Sequence, residues 1–122
     1  MKSINIGNRE IPLMFRMPQF ADIEETIGNL SLIDDLLLKG KKRIRNTAVA
    51  IRIMGNAALK EEGKTPDLTD DWVINNMEPR RIVEYQTAVM AAINDGMMME
   101  SNEDQERDLV LEEIERKKDQ NS

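Results

Sequence analysis

The sequence predicts a mainly α protein, a small helical bundle with an N-terminal β-hairpin. Two observations predict it. From Phe20 to Ile93, apolar residues recur every three or four positions, the spacing of one helix face. Only INIGNREIPLMFRM, from Ile4 to Met17, alternates apolar and polar as a half-buried strand does.

In that stretch, Gly7-Asn8 separates two short alternating runs, and Gly supplies the positive φ that a tight hairpin needs. The strands are expected at about 3–6 and 9–16. A two-residue turn sets Ile6 opposite Arg9, Ile4 opposite Ile11 and Ser3 opposite Pro12. Ile4, Ile6, Ile11, Leu13, Phe15 and Met17 then share one face, and Ser3, Asn5, Glu10 and Arg16 share the other. A three-residue turn would split the apolar set. Pro12 lacks an N–H, so this is an edge pair or the ribbon ends there. A lone hairpin is marginal in water, so its apolar face must lie on the helices.

Pro18 is expected to stop the strand. Asp22 reads as the cap of a short helix with Glu24 and Glu25 in its first turn, weakened or ended at Gly28. Ser31 reads as the cap of a segment from Leu32 to Lys39, with Gly40 just past its end. Phe20, Ile23, Ile27, Leu30, Ile33, Leu36 and Leu37 keep one apolar face through both.

The next helix is expected from about Lys41 to Glu62, ended by Gly63. Ile44, Ala48, Ile51, Gly55 and Ala58 form its stripe. Val49, Ile53, Met54 and Leu59 widen the stripe, which predicts burial on more than one side. Ala48, Gly55, Ala57 and Ala58 leave room for a neighbouring helix. Thr69 caps a short helix with Asp70 and Asp71 at its positive end, and Trp72, Val73 and Met77 form its apolar side. Pro79 opens a helix to about Asp95 with the stripe Ile82, Tyr85, Val89, Ala92 and Ile93, ended by Gly96.

The 122 residues fit one domain over 1–99 and a C-terminal tail over 100–122. Residues 1–99 carry 13 basic and 14 acidic side chains, and residues 100–122 carry 4 and 9, so most of the net −6 belongs to the tail. In the tail, Asn102 and Gln105 resemble a capping box, but only Leu109, Val110, Leu111 and Ile114 are apolar. On its own it reads as a frayed helix or a disordered segment. No signal peptide or bilayer-spanning run is visible, and the absence of Cys suits a reducing compartment.

His is absent, which removes the commonest general base and the commonest transition-metal ligand. The carboxylate pairs Glu24-Glu25, Asp34-Asp35, Asp70-Asp71 and Glu112-Glu113 are adjacent on helices and do not face each other. Asp67, Asp70 and Asp71 lack the Gly and the terminal Glu of an EF-hand loop. With no Gly-rich phosphate loop either, the sequence predicts no enzyme, cofactor or metal.

Two basic features suggest an alternative, a small nucleic-acid-binding regulator. KGKKRIR holds Lys39, Lys41, Lys42, Arg43 and Arg45. Residues 69–95 read as helix-turn-helix-like, with Arg80 and Arg81 opening the second helix. Lys41, Lys42, Arg43, Arg80 and Arg81 would be the contacts. Against this, no aromatic residue interleaves the run, and the turn lacks the Gly that often marks the motif. The plainer reading is a solvated connection between bundle helices that can pair with the acidic tail.

Aromatics are 3% of the chain, while Met numbers nine. Met adapts its shape to varied neighbours. Met97, Met98 and Met99 point in different directions on a helix, so one core cannot easily hold all three. Either the chain returns and buries two, or the three form a docking patch for another polypeptide. Met97, Met98, Met99, Leu109, Leu111 and Ile114 are the candidate partner contacts.

INIGNREIPLMFRM, leading through FADIEETIGNLSLIDDLL into helices and ending in PRRIVEYQTAVMAAIND before a charged tail, resembles the tail assembly chaperones of long-tailed bacteriophages, especially those of Gram-positive hosts. The resemblance covers roughly residues 2–96 and is one of layout. It implies a non-enzymatic protein of the bacterial host cytoplasm, absent from the mature virion. Such a protein binds the long helical tape measure protein and helps bring tail tube protein to it. Many members are made in two forms by a frameshift near the end of the gene, and the longer form's extension engages the tape measure. A self-associating member would suit a hairpin whose free edge pairs with a second copy.

Overall fold

A computed structural model describes residues 2–98. It is mainly helical, with an N-terminal two-stranded antiparallel hairpin, β1 (Lys2–Ile6) and β2 (Arg9–Leu13). The register is the expected one: Ile6 faces Arg9, Ile4 faces Ile11 and Ser3 faces Pro12. Gly7 has φ +62° and Asn8 is not left-handed, the pattern of a type II′ turn.

Ile4, Ile6, Ile11, Leu13 and Phe15 are all buried, while Ser3, Asn5 and Glu10 are exposed. Met17 departs from the expectation, at 60% exposure. The ladder stops at Leu13 rather than residue 16, because Leu13 already pairs with Lys2. The next amide, Met14 N, donates instead to Met54 O at 3.2 Å.

Helix α1 (Met17–Thr26) begins four residues after the ladder. Its cap is Arg16, not Asp22: the Gln19 side-chain oxygen accepts from the Arg16 amide at 2.9 Å. Pro18 lies in the first turn, where its missing N–H costs nothing. Gly28 follows the helix with φ +155°. A 3-10 turn (Leu30–Leu32) leads into α2 (Ile33–Leu38). Asn29 caps that turn in place of Ser31, its Oδ1 accepting from the Ser31 amide at 2.9 Å. Asn is as good a cap as Ser, and the earlier of the two holds the backbone.

Helix α3 (Arg43–Glu61) is the centre of the fold. Its run from Thr47 to Ile51 is buried on every side, as the wide stripe predicts. The buried Thr47 hydroxyl is satisfied by donating to Arg43 O at 2.8 Å. Helices α1, α2, α4 (Asp70–Asn76) and strand β2 all pack on α3. The small residue Gly55 admits the hairpin and a loop rather than a helix: a Cβ there would lie 2.8 Å from Ile11 Cγ2 and 2.6 Å from Leu68 Cδ1. The Asn56 carboxamide pins that loop through both polar groups of Leu68, at 2.9 and 3.0 Å. Thr69 caps α4 as expected, accepting from the Trp72 amide at 3.0 Å.

A 3-10 turn (Pro79–Arg81) opens the last helix, α5, over residues 82–98. Tyr85, Val89, Ala92 and Ile93 are buried. Gly96 does not end α5; the helix runs through it. A Cβ at Gly96 would lie 2.5 Å from Phe15 O and 2.8 Å from Phe15 Cδ2. This glycine therefore lets the strand-to-helix corner lie directly on α5. Gly96→Ala is expected to cost about 1–3 kcal/mol through overpacking, despite the better helix propensity of Ala. A lowered urea midpoint checks it.

Candidate functional site

Among the described residues, the exposed large apolar side chains are Met17, Met97 and Met98, at the start of α1 and the end of α5, and a second set, Leu32, Leu38, Ile44 and Val83, in the turn before α2 and on α2, α3 and α5. α5 joins the groups and separates Val83 from Met97 by about 21 Å of helix rise.

The methionine group is built by the Phe15–Gly96 approach. Phe15 lies against α5 at Gly96, so the start of α1 and the end of α5 share one end of the molecule. Phe15 is buried and stacks at 5.8 Å on the half-buried Phe20, giving the site an apolar floor. Met17 and Met98 are each 60% exposed and Met97 is 39% exposed. Lys2 and Asp95, 3.8 Å apart, and Arg16 and Glu61, also 3.8 Å apart, supply charged neighbours. The protein thus presents exposed thioether chains at the end where Phe15 meets α5, an arrangement that fits apolar partners of varied shape.

Of the six partner contacts expected from the sequence, Met97 and Met98 are exposed among the described residues. Met99, Leu109, Leu111 and Ile114 lie outside the described residues. Met17 was missed. Its signal was Pro18, which suits a first helical turn and makes Met17 the start of a helix rather than the end of a strand.

The five basic residues of the nucleic-acid alternative lie toward the other end. Asn46 Nδ2 donates to Leu36 O at 2.9 Å and Gln86 Nε2 donates to Leu37 O at 2.7 Å. These bonds hold the last turn of α2 between the first turns of α3 and α5. Lys41, Lys42 and Arg43 lie on the exposed connection from α2 to α3, and Arg80 and Arg81 lie in the turn opening α5. The two arginines are engaged with carboxylates. Arg80 Nε reaches Glu78 at 3.1 Å, and Arg81 makes a fork to Glu84 at 2.9 and 2.7 Å while standing over the Tyr85 ring.

The Arg81 fork holds the Glu84 carboxyl below its ordinary pKa, chiefly through the hydrogen bonds donated to the charged form. A depressed folded-state pKa means that this contribution to stability is present above the ordinary carboxylate range. It is lost as pH falls through the folded value. Arg81→Gln is expected to return Glu84 to the ordinary range, observed as an upward-shifted carboxyl titration by NMR.

Among the described residues, no three Asp or Glu side chains come together as a metal-binding group. A depression between α1 and α3, lined by Gln19, Asp22, Arg52 and Asn56 among others, has a volume of about 230 Å³. That is below the usual range for burying a drug-sized ligand. No helix among the described residues is long and apolar enough to cross a membrane. No protein-family model matches the chain, and no curated protein or solved structure matches it either.

Proposed function

We propose that this protein is a tail assembly chaperone of a long-tailed bacteriophage or prophage. It works without covalent chemistry in the cytoplasm of the bacterial host. Its client is the tape measure protein, a long helical chain whose apolar stripes need cover until tail tube protein polymerises around them. The observation that carries the reading is the exposure of Met17, Met97 and Met98 at the end of the molecule where Phe15 meets α5. Covering an apolar stripe of about a few hundred Å² suits such a patch better than it suits a catalytic cleft. The layout of the sequence, hairpin first and charged segment last, supplies the particular client.

The mechanism is reversible burial. Thioether side chains repack on successive helical segments of the client, and Leu109, Leu111 and Ile114 extend the contact. The net charge of −6 keeps the complex soluble. Among the described residues β1 pairs with β2 alone, which suits its outer edge to a second copy. Ile6 and Arg9 flank a two-residue turn and exchange ladder bonds, so the Ser3 and Asn5 backbone groups point away from β2.

Co-expression with a tape measure fragment tests the reading. Changing Met97, Met98 and Met99 together to Ser is expected to send the fragment to the insoluble fraction while the chaperone itself stays soluble. Undiminished client solubility contradicts it. The competing regulator is separated by titration with duplex DNA. Binding that depends on Lys41, Lys42, Arg43, Arg80 and Arg81, and that weakens steeply with salt, favours the regulator. Mass spectrometry of purified particles should not find the protein.

A further inference from the structure

The second exposed apolar group lies at the basic end of the molecule. Leu38 and Ile44 flank Lys39, Lys41, Lys42 and Arg43, and Val83 stands one turn before Gln86, whose amide holds Leu37 O. Val83 is 68% exposed, Leu38 44% and Ile44 37%. Lys39 pairs with Asp35 at 3.4 Å, and Arg43 donates to Gly40 O at 3.0 Å. Lys41, Lys42 and Arg45 pair with no carboxylate among the described residues. The exposed apolar and unpaired basic side chains thus lie on elements that the Asn46 and Gln86 hydrogen bonds hold together.

We propose that this surface is the docking site for residues 103–114 of the same chain. That segment, EDQERDLVLEEI, has the opposite character: six acids and one base around Leu109, Val110, Leu111 and Ile114. Its acids answer Lys41, Lys42 and Arg45, and its aliphatic residues answer Leu38, Ile44 and Val83. The geometry permits it. The described chain ends at residue 98, and Gln86 lies about 18 Å back along α5. Residues 99–109 can span about 36 Å when extended, so Leu109 reaches the surface with slack. Tethering on this length gives an effective concentration on the order of millimolar, so a weak contact is occupied within one molecule. The acidic segment then covers the basic end and its own apolar residues until a partner displaces it. This holds whichever client the methionine patch takes, so its failure and the failure of the chaperone reading are distinguishable.

The chain has no Cys, so Gln105→Cys in the full chain carries a single spin label. At low salt, the amide signals of Leu38, Ile44 and Val83 are expected to broaden, and that of Glu61, about 26 Å from Ile44 along α3, is not. Raising the salt to 1 M shortens the screening length from about 10 Å at 0.1 M to about 3 Å and should reduce the broadening. Combined Lys41→Glu, Lys42→Glu and Arg45→Glu should abolish it, and adding Glu103→Lys, Asp104→Lys and Glu106→Lys should restore it. Restoration separates lost docking from lost folding. The proposal is overturned by unbroadened signals at low salt, or by broadening that survives the charge reversal. It is also overturned if broadening appears only between labelled and unlabelled molecules in a mixture, or if duplex DNA shifts these amides while the label leaves them untouched.

Discussion

Tyr85→Ala is expected to lower the unfolding free energy by about 3–5 kcal/mol, the usual cost of deleting a buried aromatic ring. Tyr85 is 0% exposed, and its hydroxyl accepts from the Glu78 amide at 2.9 Å. The substitution leaves a cavity under the first turns of α5 and deprives a backbone N–H of its partner. It also removes the ring beneath Arg81. Small domains are stable by only about 5–15 kcal/mol, so the loss is a large share of the total. Tyr85→Phe keeps the ring and should cost about 1 kcal/mol, the net worth of one hydrogen bond. Urea unfolding of both variants checks the pair. Equal losses would mean that the ring does not fill the space between α5 and its neighbours.

Ile11→Ala is expected to cost about 2–5 kcal/mol, as for a large aliphatic residue in a packed core. Ile11 is 0% exposed, sits opposite Ile4 and lies against Gly55 of α3. The size of this effect decides what the hairpin is for. If the strands were an appendage reserved for a partner, truncating their inner face would barely move the unfolding midpoint. A large loss makes them a wall of the chain's own core. Ser3→Ala, on the outer face, removes only the exposed 2.9 Å hydrogen bond to Glu10 and should stay within about 0.5 kcal/mol. The contrast isolates burial from strand formation.

Much of this architecture is legible in the residues. Period-two alternation around Gly7-Asn8 gives the hairpin its register, because a slip by one position would turn every Ile outward. The wide stripe around Ile51 marks α3 as the central helix, since only burial on several sides makes so broad an apolar face stable. The misreadings have two causes: a competing local cap, and contacts distant in sequence. Asp22 is a good cap in isolation, but Gln19 holds the Arg16 amide and starts α1 earlier. Gly96 resembles a helix stop, yet it is a packing glycine whose partner, Phe15, is far away in sequence. Gly55 announces a close approach without saying that a strand makes it. The methionine site was half legible. Three consecutive Met residues drew notice, whereas Met17 joins them only because Phe15 lies on α5.

The fold explains how an adaptable site can stand on a stable body. The core from Ile4 to Ile93 fixes where α1 begins and where α5 arrives, and the thioethers at that junction remain exposed. The rigid part is aliphatic and closely packed. The pliable part is confined to unbranched side chains, which can change rotamer without disturbing a helix.

Methionine methyl groups report this division directly, since the described methionines are spread between the core and the surface. The decisive measurement is a titration of methyl-labelled protein with a helical tape measure fragment, followed by NMR. The account predicts that the Met17, Met97 and Met98 signals shift together and saturably, while Met54, at 0% exposure, stays in place. Saturable binding that leaves those three signals unmoved would contradict it.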